Sequence, residues 1–263
     1  SLNIIEAHLI GISICNNTNT SYYIPLQHLD GDNVKIEDQI DFKIFLKKIK
    51  PVMEDESIVK IGHNIKYDIA ILKKYEIETV TYEDTMLMSY ICDANVNRHN
   101  MDDLAKIHLN TETTKFKEVV GSGKSQITFD RVNIDLATKY AAEDAEITYK
   151  LFKILSKRVF HEKNKFVYES IEKPLIKAIL KMEMNGIKVD SDNLSSLSRN
   201  FSDRVNKLEN KIFKISGSEF NIGSPKQLSE VLFDNMGLTL SKKTKTGERS
   251  TGIEVLEDLS YEG

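Results

Sequence analysis

The chain has 263 residues, 40% hydrophobic and 29% charged, with a formal net charge of −4. These totals exclude a disordered chain, a membrane span and a basic coat for nucleic acid: the apolar content suffices for one large or two modest cores, no run is long enough for a bilayer, and cations are not in excess, although local basic surfaces stay open. Cys15 and Cys92 stand apart from each other and from the six His, and the N-terminus lacks a signal-peptide layout, so a reducing, cytoplasmic setting is expected.

The first runs of β-forming residues, Leu9 to Cys15 and Ser21 to Leu26, flank the turn-forming Asn16-Asn-Thr-Asn-Thr20 and predict a hairpin. Helical spacing from Asp41 to Lys50 stops before Pro51. A short strand, Ser57 to Ile61, a turn at Gly62-His63-Asn64, a helix from Ile65 to Tyr75 and a strand near Val80 to Tyr82 give the alternation of an α/β domain. Asp68 lies at the edge of that helix's apolar stripe and near its N-terminus, where an acid also serves simply to favour the helix dipole. Asp84 and Asn100 head the helices Thr85 to Cys92 and Met101 to Leu109 as N-caps. Between them, Arg98 and His99 face either a phosphate or water. Gly121-Ser-Gly-Lys124-Ser lacks the spacing of a phosphate-binding loop and reads as a surface loop.

One long helix, Asn133 to about Phe160, organises the chain. Its stripe runs Tyr140, Asp144, Ile147, Leu151, Leu155, so a carboxylate is set into a core-facing row, whereas Glu143 and Glu146 fall on other faces and read as solvated. A carboxylate there needs a metal ion or a Lys or Arg partner unless it is half exposed, and Tyr140 places a hydroxyl one turn away.

Beyond Asn164 the pattern is helical. A helix from about Tyr168 to Asn185 ends at Gly186, with Pro174 marking a kink or its true start. Ser191 to Ile215 has near-heptad apolar spacing; a coiled-coil dimer is one reading, but pairing lengthwise with an internal antiparallel helix is expected. Ser224-Pro225-Lys-Gln227 reads as a capping box, and Thr251-Gly-Ile-Glu254 as a second. The cationic stretch 241–249 between them is either a solvated loop or a set of phosphate contacts.

Asn64-Ile-Lys-Tyr67-Asp68, Tyr140-Ala-Ala-Glu-Asp144 and Phe220-Asn-Ile-Gly-Ser-Pro-Lys-Gln-Leu228, in this order and at these separations, resemble the bacterial polymerase-I-type (family A) DNA polymerases. The resemblance implies an α/β fold: a ribonuclease-H-like 3′–5′ proofreading exonuclease domain, with a mixed sheet flanked by helices, over 1–165, then an all-helical partial thumb over 166–263. It implies catalytic roles for Asp68, Asp144 and Tyr140, with Asp68 and Asp144 as ligands of Mg2+ or Mn2+ in a two-ion site. It places Leu2, Asn64, Tyr67, Arg98 and Phe116 against a frayed primer 3′ end, and Lys242, Lys243, Lys245 and Arg249 against primer–template phosphates. A monomeric, cytoplasmic, nucleoid-associated DNA polymerase of replication and repair is what the family implies.

One departure matters. The family's Asp-x-Glu motif would precede Ser1, and Glu6 has no second acid two residues away. The chain is therefore expected to be part of a longer polymerase and, by itself, inactive. The alternative is a module that keeps the fold without catalysis; a free-standing ribonuclease-D-like nuclease is disfavoured by the thumb-like segment.

Overall fold

The computed structural model describes residues 4–16, 20–37, 39–95, 98–239 and 249–262. They form two compact units, 1–186 and 187–263. In the first, strands β1 (Gly11–Cys15) and β2 (Ser21–Pro25) make the expected antiparallel hairpin, with Gly11 opposite Pro25 and Cys15 opposite Ser21. Glycine is needed at position 11 because a Cβ there would lie 2.2 Å from the Tyr23 hydroxyl.

Helix α1 (Phe42–Met53) starts where Asp41 accepts from the Ile44 amide, but it runs through Pro51 instead of stopping before it. Proline removes one amide from the ladder. Buried Phe45 and Ile49 hold the helix in place, and the Glu54 amide still reaches the Lys50 carbonyl. Strands β3 (Lys60–Gly62) and β4 (Tyr82–Asp84) pair in parallel around α2 (Ile65–Lys73), each slightly later in the chain than its apolar run suggests. Helices α3 (Thr85–Cys92), α4 (Met101–Leu109) and α5 (Phe116–Val120) follow.

Helix α6 (Ile134–His161) is the axis of this unit and packs against both hairpin strands and against α3 and α4. Its start is specified by Asn133, whose side chain accepts from the Asp135 and Leu136 amides. Ile147, Leu151, Leu155 and Val159 join Met88, Leu104 and Ala105 in one buried cluster. Ala137, with Tyr140 at its margin, belongs to another cluster built on Val119, Val120 and Val132. Asp144 thus lies on the helix between two apolar clusters. Helix α2 is likewise buried on two sides: Ile71 and Leu72 face the cluster of the hairpin and α1, while Ile65, Ile69 and Ala70 face Tyr82, Ile176 and Leu180.

The expected helix from Tyr168 is two pieces preceded by a separate turn, and its regular part begins near Pro174, as one of the two expected readings had it. A single turn, α7 (Lys165–Val167), and a π-helical turn (Tyr168–Glu172) lead into α8 (Lys173–Asn185), with Pro174 in its first turn. Gly186 ends it at φ +67°.

The second unit holds α9 (Ser191–Ser216), α10 (Pro225–Ser229) with its π-helical continuation, and α11 (Ile253–Glu262). The α9 stripe is present, but no residue of α9 is buried; Phe201 and Leu208 remain 58% and 56% exposed. The expected internal antiparallel partner does not cover it among the described residues. Ser224 caps the Gln227 amide as expected, whereas the Gln227 side chain accepts from Asn221 at 2.7 Å and not from Ser224.

Candidate active site

On α6, Tyr140 and Asp144 come together as the one-turn spacing requires: the phenol donates a hydrogen bond to the carboxylate. The Asp144 carboxyl is pushed up to about 7, chiefly because its apolar flanks strip water from it. The Tyr140 bond works the other way, favouring the charged form, and the charges of Glu143 and Asp102 raise it again. The Tyr140 phenol rises through burial and then through the Asp144 charge. Glu143 is not merely solvated. Its Oε2 accepts from the Thr114 amide at 2.8 Å, while Asp102 accepts from Thr113 Oγ1 at 2.6 Å. Two acids therefore pin the segment ahead of α5, and with it Phe116. Glu146 pairs with Lys150 one turn on.

Asp68, in the first turn of α2, has a solvent-exposed side chain, yet its carboxyl is also pushed up to about 7, first by desolvation and then by the charge of Asp84. Among the described residues neither Asp68 nor Asp144 is paired with Lys or Arg. Different acids act on the two, and among the described residues no group of three or more His, Cys, Asp or Glu could hold a metal ion.

Asp84 does more than head its own helix. Buried at 2% exposure, it accepts from the Met86 and Leu87 amides of α3 and from the Asn64 and Ile65 amides of α2. One carboxylate thereby fixes the starts of two helices. The second role was invisible in the sequence, because Asn64 lies twenty positions upstream of Asp84. Asn64 is left-handed (φ 61°), its side chain makes no cap bond, and it remains exposed.

Tyr67 is half-buried against the hairpin cluster. Arg98 is exposed, while His99 is held by Ser89 Oγ at 2.9 Å and by the edge of Tyr90. Phe116 is 47% exposed and lies 6.0 Å from the Tyr140 ring. In the second unit, Arg249 is paired with Asp234 and lies over the Phe233 ring. Leu2, Lys242, Lys243 and Lys245 fall outside the described residues.

A family model described as 3′–5′ exonuclease matches residues 1–159, and one described as DNA polymerase family A matches residues 191–263. DNA polymerase I of Rhizobium leguminosarum is 42% identical over 277 residues, covering 100% of this chain and 27% of the relative. DNA polymerase I of Pseudomonas aeruginosa is 36% identical over 265 residues, covering 99% and 29%. The chain thus spans between a quarter and a third of the length of these relatives. Among solved structures, the POL domain of Pol1 from M. smegmatis, in complex with DNA primer-template and dNTP, aligns with a TM-score of 0.64 at 22% identity, covering 93% of this chain and 39% of that one. The apo form of a nuclease aligns with a TM-score of 0.53 at 19% identity, covering 73% and 84%. At these identities the structural likenesses bear on the fold alone.

Proposed function

Since the chain belongs to the 3′–5′ exonuclease family and continues into a segment of DNA polymerase family A, we propose that it is the proofreading part of a DNA polymerase of replication and repair. In this reading the exonuclease domain covers 1–165, 166–263 begins the DNA-gripping thumb, and the whole protein works as a cytoplasmic, nucleoid-associated monomer. The observation that carries the reading is the pair of aspartates: both are pushed up to about 7, neither has a cationic partner among the described residues, and Asp144 has Tyr140 bonded to it.

Carboxylates of this kind suit hard divalent cations, which bring their own positive charge to a site that lacks one. Asp68 and Asp144 would be the ligands of Mg2+ or Mn2+. Bound there, such ions supply an activated water and stabilisation of the leaving 3′-oxygen for phosphodiester hydrolysis. The chain's own residues do the rest. Tyr140 orients the attacking water beside Asp144; Asn64, Tyr67, Arg98, Phe116 and Leu2 hold the unpaired 3′ end by backbone contacts and stacking. Lys242, Lys243, Lys245 and Arg249 neutralise phosphates of the primer–template duplex.

In the full-length protein, Asp144→Ala is expected to abolish excision of a mismatched 3′ nucleotide while nucleotide addition stays near the parental rate. Parental excision by this variant would refute the assignment. The 263-residue chain alone is expected to degrade single-stranded DNA little or not at all in Mg2+. A second reading is a non-catalytic module that supports the polymerase. That reading wins if the full-length protein shows no excision and Mn2+ leaves its melting temperature unchanged.

A further inference from the structure

Beside the two site residues Phe116 and Tyr140 stands a third ring with no role in the proposal above. Phe129, in a one-turn 3-10 segment (Phe129–Arg131), is stacked with Phe116 at 6.2 Å and 20° between rings. It also lies 6.1 Å from the Tyr140 ring. The same ring also meets Tyr23 at 6.4 Å and His28 at 5.9 Å. His28 is fully buried, and its ring orientation is fixed. Its Nδ1 lies 3.2 Å from the Val132 carbonyl, which can only accept, so Nδ1 carries the hydrogen. Nε2 therefore accepts from the Tyr23 hydroxyl at 2.8 Å. The Leu29 amide donates to the Asp130 carbonyl at 2.8 Å and ties the turn that carries Phe129 to the same strand end.

We infer that Phe129 is a positioning residue of the exonuclease site: locked by the His28–Tyr23 pair, it holds Phe116 flat for the terminal base of a single-stranded DNA 3′ end and holds Tyr140 against Asp144. The inference rests on the exonuclease reading. Stacking depends on the ring's plane as well as on apolar volume, so a side chain of similar bulk without a flat face cannot replace Phe129.

The test is a titration of the full-length protein, in EDTA so that nothing is cleaved, with a single-stranded DNA carrying 2-aminopurine at its 3′ end, whose fluorescence falls on stacking. Phe129→Leu is expected to weaken quench-detected binding about fivefold or more, and Phe129→Tyr to restore it. Tyr23→Phe removes only the hydroxyl that fixes His28; it gives a smaller loss in the same direction, and decides the matter if Phe129→Leu fails to fold. If Phe129→Leu and Tyr23→Phe quench like the parent while Phe116→Leu does not, Phe116 acts without Phe129 and the inference is wrong, though the exonuclease reading stands. A full-length parent that neither binds nor quenches overturns that reading, and the inference with it.

Discussion

Two single carboxylates show how burial and partners set different roles. Asp144 has its ordinary value of 3.8 raised to about 7, so the folded state holds a proton that the unfolded chain releases. Its contribution to stability is therefore full below about pH 4 and is lost as pH climbs through 7. Asp144→Asn keeps an acceptor for Tyr140 and removes the ionisation. It should stabilise the protein at pH 8 by about 1–3 kcal/mol and leave it unchanged at pH 4, as read by calorimetric melts at the two pH values; equal effects at both would be wrong for this origin. Asp84 has a structural role, as a buried acid that accepts from amide donors of two helices. Asp84→Ala strands four amides at two helix starts and should cost about 3 kcal/mol or more in urea unfolding. The sequence made Asp144 legible because a helical stripe exposes an anomaly by counting. It gave Asp84 only half its role, since a cap on a distant helix needs the β3–β4 pairing to bring the two together.

At the level of elements, α6 was readable at both ends because Asn133 is a side-chain cap and the apolar row persists for the full length. Helix α1 was not, because the rule that proline stops a helix yields where buried side chains on both turns hold the backbone down. The break ahead of α8 was legible in Pro174, which sits in its first turn, but the π-helical form of the turn before it was not. Tyr168, 1% exposed, accepts from the Asp84 amide at 2.9 Å and donates to Glu83 at 2.7 Å, and Glu83 also takes Lys173 at 2.7 Å. We attribute the π-helical turn to this need to seat one phenol on β4. Tyr168→Phe keeps the ring but leaves a buried amide and a carboxylate short of a partner. A loss of about 1–3 kcal/mol in chemical denaturation is expected, and none would mean that water replaces the hydroxyl.

Across the molecule, the first unit carries four buried clusters among the described residues, whereas α9 in the second has an apolar row open to solvent. Periodicity alone foretold both rows and could not tell which one would be covered. The contrast is measurable: Leu151→Ala, at a fully buried position, should cost about 3–4 kcal/mol, and Leu208→Ala on α9 under about 1 kcal/mol. Similar losses would place α9 in a packed interface. The shared carboxylate of Asp84 extends to motion as well. With one side chain accepting from Asn64, Ile65, Met86 and Leu87, neither helix can fray at its start without loosening the other. The two behave as one hinge pin, and in deuterium exchange those four hydrogens should open in unison, on a common clock.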